Sequence, residues 1–302
     1  MRILIAPFAA MAETKGPIGR ARALAAACRD RGHDVAFCAA EDVNYRPVDG
    51  VPNHVAPCPP PLGLPMVVGR ALLGFARNSG LQRKKKVHSF EEVLRFTGAT
   101  SNGFWARDVE SIRAAIRDHR SDVVFSEFRL AAMVAARLEG VPVAAGISHP
   151  TQRRFASDPQ HASGVRSHLE HHRLPAIKSV LELFDWASPK FVASSPELEP
   201  IEGDDVFHVG PFVALTPSES SREKRSSIIA YMGNGTVSPE RVIDVLSKAF
   251  LGTSYRVFIA TDAAEPFTKV NINVAKRFDF NELMPSAIAF INHGGQNSIM
   301  TG

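Results

Sequence analysis

The residues whose types and spacing point most directly to chemistry close the chain: Phe290-Ile291-Asn292-His293-Gly294-Gly295-Gln296-Asn297-Ser298. The apolar run from Ala287 to Ile291 reads as a buried strand. It breaks into two glycines and then into Asn-Ser ahead of a predicted helix. A strand that ends in a Gly-rich turn and opens a helix leaves backbone N–H groups unpaired at a positive dipole end, which suits a phosphate. His293 and Ser298 add side-chain donors, and the glycines let the backbone approach a diphosphate closely. A second cluster, His168, His171 and His172, has the i, i+3, i+4 spacing of one helical face, which can bind a metal. With no acidic or cysteine partner evident, a hydrophilic helix is the preferred reading and no metal is expected.

The elements that must position these residues alternate as strand and helix, implying parallel sheets with helices on both faces. Strands are predicted at 2–7, 34–39, 122–126, 141–146, 190–193 and 206–209, and helices at 17–31, 104–119 and 128–139, with 165–186 helical but broken at Pro175. Pro211 to Ser227, rich in Ser, Pro and charge, reads as a linker. The pattern then restarts with strands at 228–232, 255–260, near 272–277 and 287–292, a helix at 239–250 and a short one at 281–286. Two domains joined by a linker follow: 1–210, the linker 211–227, and 228–302.

Composition is compatible with two cores, since 45% of the 302 residues are hydrophobic. No apolar run reaches the ~18 residues of a membrane-spanning helix. The first residues enter a strand directly, without a signal-peptide pattern. Three cysteines, Cys28, Cys38 and Cys58, form an odd set without metal-ligand spacing, which suggests reduced thiols in a cytoplasm. A net charge of +4 admits anionic partners without selecting one. Arg83-Lys84-Lys85-Lys86 follows the apolar stretch Leu62 to Leu81. A solvated loop is the preferred reading, and a peripheral contact of residues 62–86 with an anionic membrane surface is the alternative. No interleaved aromatics suggest nucleic-acid binding.

Several segments, in order, resemble the family-1-like, nucleotide-sugar-dependent glycosyltransferases of the GT-B fold. His293-Gly294-Gly295-Gln296-Asn297-Ser298 resembles their donor-diphosphate signature, and Met1-Arg2-Ile3-Leu4-Ile5 their first strand. Arg31-Gly32-His33-Asp34-Val35 resembles the turn into the second strand, and Asp122 to Glu127 the strand near the catalytic centre. Val209-Gly210-Pro211 resembles the start of the interdomain linker, Tyr231-Met232-Gly233-Asn234-Gly235-Thr236 the first donor-domain loop, and Leu283-Met284-Pro285 a segment ahead of the signature. The resemblance implies two Rossmann-like parallel-sheet domains facing a cleft. The N-terminal domain would bind the acceptor, and the donor domain, with about four strands, would be incomplete.

The implied function is inverting transfer of a sugar from a nucleoside diphosphate, UDP or TDP, to an acceptor hydroxyl of a small molecule, natural product or lipid. The implied donor contacts are Gly233, Asn234 and Thr236 with His293, Gly294, Gly295, Gln296, Asn297 and Ser298. Phe280 stands in register with the family's nucleobase-side residues, and stacking on a base or core packing both fit it. Most of the family has a catalytic His after the first strand; alignment on Ala21-Arg22-Ala23-Leu24 places Glu13 there. Glu127 stands where the family has the acidic partner of that base, so Glu13 and Glu127 form the implied catalytic pair. Thr14 takes the base position if the loop differs in length, and the plainer reading is a solvated loop residue at Glu13 and a helix N-terminal charge at Glu127. The family's metal-independent chemistry implies no metal and no cofactor beyond the sugar nucleotide. The replaced His and the absent sugar-holding segment leave a second reading, a non-catalytic relative that acts as a binding or partner subunit.

Overall fold

The computed structural model describes residues 1–8, 15–41, 45–65, 67–69, 71–72, 75, 89–156, 162–212, 225–232, 237–261, 264–295 and 298–299. Contacts divide the chain into two compact units, Met1–Phe212 and Val213–Gly302.

The first unit is built on a seven-stranded sheet: β1 (Arg2–Pro7), β2 (Asp34–Ala40), β3 (Asn53–Ala56), β4 (Val123–Glu127), β5 (Val143–Ile147), β6 (Lys190–Val192) and β7 (Val206–His208). Their order is β3-β2-β1-β4-β5-β6-β7, and every neighbouring pair is parallel. The central strands read as near-continuous apolar runs because both faces are covered. Successive side chains of β1 go to opposite faces. Leu4 and Ala6 join the core formed with Ile112, Ile116 and Met133, while Ile3 and Ile5 join Ala21, Ala25, Val35 and Phe37. The helix Lys15–Asp30 therefore covers one face, and the helices Asn102–His119 and Leu130–Glu139 cover the other. Leu130 to Ala136 are all buried, so the Leu130–Glu139 helix is enclosed on every side. Its alanines permit close approach to the sheet, and Gly140, at φ 67°, ends it.

The second unit carries a five-stranded sheet in the order β10-β11-β9-β8-β12, with β8 (Ser227–Tyr231), β9 (Arg256–Ala260), β10 (Phe267–Lys269), β11 (Ile272–Ala275) and β12 (Ala287–Asn292). Ile228, Ala230, Val257, Ile259, Ile272 and Val274 form its core with Leu246 of the helix Pro239–Phe250. That helix starts with Ser238 accepting from the Arg241 N–H, Pro239 in its first turn and Glu240 beside it, a start legible in the sequence.

The structure departs from the sequence expectations in places. The predicted broken helix over 165–186 is a helix only at Ser163–His171; Val180–Trp186 is a 3₁₀ segment with a Ser179–Glu182 capping box. The helix Phe90–Phe96 and the strands β3 and β10 were not anticipated. Both strands are short and lie at sheet edges, where pairing rather than burial selects them. β10 gives the second sheet a fifth strand and runs antiparallel to β11, so this sheet is mixed rather than purely parallel.

Asn271, at the turn into β11, ties three segments together. Its Nδ2 donates to Phe250 O at 2.8 Å and to Tyr255 O at 2.6 Å, and its Oδ1 accepts from the Gly252 N–H at 2.8 Å. Asn271→Ala removes all three bonds and is expected to destabilise the second unit by about 2–3 kcal/mol. Hydrogen exchange of the β9 amides checks this; unchanged protection would show that the turn is held by other means.

Candidate active site

The sheet of the first unit changes its direction of growth at β1. β2 and β3 lie on one side, and β4 to β7 on the other. The helix that leads away from β1 and the one that leads away from β4 pack on opposite faces. Such a switch point leaves a crevice at the carboxyl ends of the strands. Pro7 and Glu127, the last residues of β1 and β4, are direct neighbours there, and the Phe8 N–H donates to Glu127 O at 2.7 Å.

Glu127 is 1% exposed and Arg20, on the first helix, 6%. Arg20 Nε donates to Glu127 Oε1 at 2.6 Å. Burial pushes the Glu127 carboxyl above the usual carboxylate range, and the Arg20 guanidinium opposes that shift through its charge and hydrogen bond. Gly146 is the β5 neighbour of Glu127. A Cβ on Gly146 would lie 2.2 Å from Glu127 Oε2, so only glycine leaves room for the carboxyl group. Phe128 takes φ 62°, a left-handed conformation that costs a bulky residue about 1–2 kcal/mol. Its ring lies 5.3 Å from the Arg20 guanidinium carbon and 5.7 Å from the Phe90 ring.

A second buried ion pair follows directly. Arg129 bonds Asp108 through its guanidinium and donates from Nη1 to Cys38 O at 2.9 Å. Ser126 fixes the turn between them: its Oγ donates to Arg129 O at 2.8 Å and accepts from the Arg129 N–H at 3.1 Å. Phe8, Trp105, Asp108, Arg129 and Leu130 help to line a cavity of about 20 Å³, room for roughly one water. The buried Trp105 Nε1 has no hydrogen-bond partner among the described residues.

In the second unit, β8 and β12 end together, with Tyr231 paired to Asn292. Gly294, at φ 81°, follows His293, and its N–H donates to Asn292 Oδ1 at 2.8 Å. A Cβ on Gly295 would lie 2.5 Å from His293 Nε2. The Ile299 N–H donates to Gly295 O at 2.9 Å, the first turn of the following helix, on which Ser298 is 9% exposed. The predicted strand, glycine turn and helix start are therefore present, but the strand is not the buried one expected: it lies at the sheet edge, none of its residues is buried, and Ile288 is 54% exposed. Phe280 packs edge-on against Tyr231 at 5.8 Å and Phe290 at 5.8 Å, and Tyr231 meets His293 at 6.0 Å. Phe280, Tyr231 and His293 thus form one aromatic group at this sheet edge.

Of the other predicted site residues, Glu13, Gly233, Asn234, Thr236, Gln296 and Asn297 lie outside the described residues. So does the basic run Arg83 to Lys86. The His168 and His172 rings stand 4.6 Å apart, and burial holds both side chains below the usual histidine range. Among the described residues no group of His, Cys, Asp and Glu is arranged to hold a metal. Among the described residues the three cysteines form no disulfide, and burial pushes the Cys38 thiol up to about 11. Among the described residues no helix is long and apolar enough to cross a membrane. The sequence reading missed Arg20, Gly146 and the Arg129–Asp108 pair. The available signal was a charge set into an apolar face: Arg20 stands between the buried Ile18 and Ala21, and Arg129 between Phe128 and Leu130.

No protein-family model matches the chain, and no curated protein does. Solved structures do. The chain is similar over its full length to the glycosyltransferase SsfS6 of Streptomyces sp. SF2575, at 17% identity and a TM-score of 0.62, covering 78% of that chain. It is similar to the glycotransferase of kitacinnamycin at 17% identity and a TM-score of 0.66, covering all of this chain and 77% of that one. A third is the spinosyn rhamnosyltransferase SpnG complexed with thymidine diphosphate, at 16% identity and a TM-score of 0.64, with 100% of this chain and 77% of that one covered. Identities this low establish the fold, which is GT-B.

Removing Arg20 tests the charge balance at β4. In Arg20→Met the buried carboxylate loses its counter-charge, an expected cost of about 3–5 kcal/mol at neutral pH. A carboxyl with a raised folded value favours the folded state below the ordinary carboxylate range, and that contribution is lost as pH rises through the raised value. Without Arg20 the interval extends upward, so the deficit should be small near pH ~4 and grow toward neutrality. Urea unfolding at several pH values measures it; an equal deficit at every pH would show that Glu127 is not the group affected.

Proposed function

We propose that the chain transfers a sugar from a nucleoside diphosphate, UDP or TDP, to a hydroxyl of a small-molecule, natural-product or lipid acceptor. The observation that most supports this is the glycine turn His293–Gly295 at the carboxyl end of β12, opening a helix in a GT-B chain. Its N–H groups other than that of Gly294, which Asn292 holds, and His293 and Ser298, with Gln296 and Asn297, would hold the diphosphate and stabilise the charge that develops as it leaves. Gly233, Asn234 and Thr236, after β8, would complete the diphosphate contacts. Phe280 and Tyr231 would offer aromatic surface to the base. Residues 1–210 are read as the acceptor-binding domain and 228–302 as the donor domain.

On the acceptor side Glu13 is the proposed base that takes the hydroxyl proton while the oxygen displaces the diphosphate in line, with inversion at the anomeric carbon. Glu127, buried and ion-paired, is a positioning residue: its raised carboxyl and Arg20 set the field at the carboxyl end of β1. Contact of residues 62–86 with a membrane surface is supported by Val67 and Phe75, which are 81% and 66% exposed. Three cysteines, an odd set that forms no disulfide among the described residues, support a cytoplasmic location, at the inner membrane face where that contact is made.

A panel of UDP and TDP sugars, read by thermal unfolding and by product mass, tests the proposal. A donor at ~100 times its Kd adds about 2.7 kcal/mol of stability. His293→Ala should weaken nucleotide binding by about tenfold, the worth of one charge-assisted hydrogen bond. Glu13→Gln should keep nucleotide binding and lose ~10²–10⁴ in turnover. Glu127→Gln should displace the acidic limb of the kcat/KM pH profile, with partial return in Glu127→Asp. Stabilisation by a nucleotide without turnover would favour the non-catalytic binding subunit, and absence of both would remove the donor assignment.

A further inference from the structure

Away from the β1–β4 edge, the first unit holds an open basin of about 490 Å³. Arg95, Thr100, Ser101, Ser163 and Arg166 line it, with Leu62 on the loop after β3. Two guanidinium groups and three hydroxyls thus face one volume, and no carboxylate is among the described lining residues. Arg166 is half-buried and makes no ion pair among the described residues. Arginine in such a setting matches the fork of acceptor oxygens on a phosphate.

The backbone adds to the same polarity. The 18-residue helix Asn102–His119 starts at Ser101 without a side-chain cap, and the nine-residue helix Ser163–His171 starts at Ala162 without one. Gly164 is what lets these two starts meet: a Cβ there would lie 2.8 Å from both Asn102 N and Thr100 O. Gly98, at φ 77°, brings the other wall in, since a Cβ there would lie 1.7 Å from Pro60 O. Two positive helix ends therefore converge beside two arginines. The volume exceeds that of a free phosphate and falls in the range of small-molecule sites, and Leu62, 42% exposed, offers apolar surface to the rest of a ligand.

We infer that this basin binds the phosphomonoester group of a larger molecule, either a soluble phosphate ester or the headgroup of an anionic lipid. It shares no residue with the proposed donor turn or with Glu127, and it does not depend on the glycosyl-transfer reading.

Arginine modification by phenylglyoxal in the full chain, mapped by mass spectrometry, tests it without a variant. Glycerol phosphate at about ten times its Kd, compared with sodium chloride of equal ionic strength, should slow modification of Arg95 and Arg166 by about tenfold and leave exposed Arg120 unchanged. The protection should persist in His293→Ala, and Arg166→Gln should weaken glycerol phosphate binding, read by calorimetry, by about tenfold. Phosphatidylcholine vesicles with and without phosphatidic acid separate the sources. Protection by phosphatidic acid vesicles at lower phosphate than glycerol phosphate requires identifies a lipid headgroup; protection by the soluble ester alone identifies a soluble ligand. Equal protection of Arg120, loss of protection in His293→Ala, or no protection by either probe would overturn the inference.

Discussion

A carboxylate removed from water at the end of a central strand must be given a counter-charge or kept protonated, and much of the first unit is arranged around that constraint. Glu127 ends β4 with 1% of its surface exposed. Desolvating such a group costs several kcal/mol unless good geometry repays it. Arg20 supplies the charge from the first helix, so that helix is tied to the end of β4. Gly146 on the neighbouring strand leaves space for the carboxyl group, and Phe128 accepts a left-handed backbone to place its ring beside the guanidinium. Left-handed strain at a non-glycine residue persists only where its surroundings over-determine it. Here those surroundings are Ser126, bonded twice to Arg129, and the Arg129–Asp108 pair.

The second unit answers a different electrostatic demand. Its turn after β12 carries a histidine rather than a buried acid, and the Gly294 N–H there is held by Asn292 Oδ1. Gly294 and Gly295 serve distinct needs there: the first takes a positive φ, and the second avoids a clash with the His293 ring. The aromatic group of Tyr231, Phe280 and His293 joins the ends of β8 and β12 to the short helix Phe280–Leu283. The first unit thus buries two acids, each paired with an arginine, and the second has no such pair among its described residues.

Much of this was legible in the sequence. Apolar runs with helical spacing between them located β1, β2, β4, β5, β8 and β9, because burial on both faces leaves little other composition. β12 was located by its apolar run although it lies half-exposed at the sheet edge. The glycine turn at 293–295 was readable because its backbone conformation restricts residue choice. The short edge strands β3 and β10 were not, since their pairing depends on neighbours distant in sequence. The Arg20–Glu127 pair was half legible: Glu127 was identified by resemblance, but its partner stands 107 positions away, and a charge in an apolar helix face does not say which acid it meets. Gly146 carried no signal, because its role is to leave room for another residue's side chain.

The charge state of Glu127 is the quantity on which this account turns. It is measured by following the carboxyl carbons of a chain labelled with ¹³C-glutamate through a pH titration, with the Glu127 signal assigned by its absence in Glu127→Gln. The account predicts that Glu127 titrates above the exposed glutamates of the same chain. Titration at or below them would mean that Arg20 outweighs burial, and that the end of β4 holds a fixed, fully ionised carboxylate instead of a group poised to share a proton.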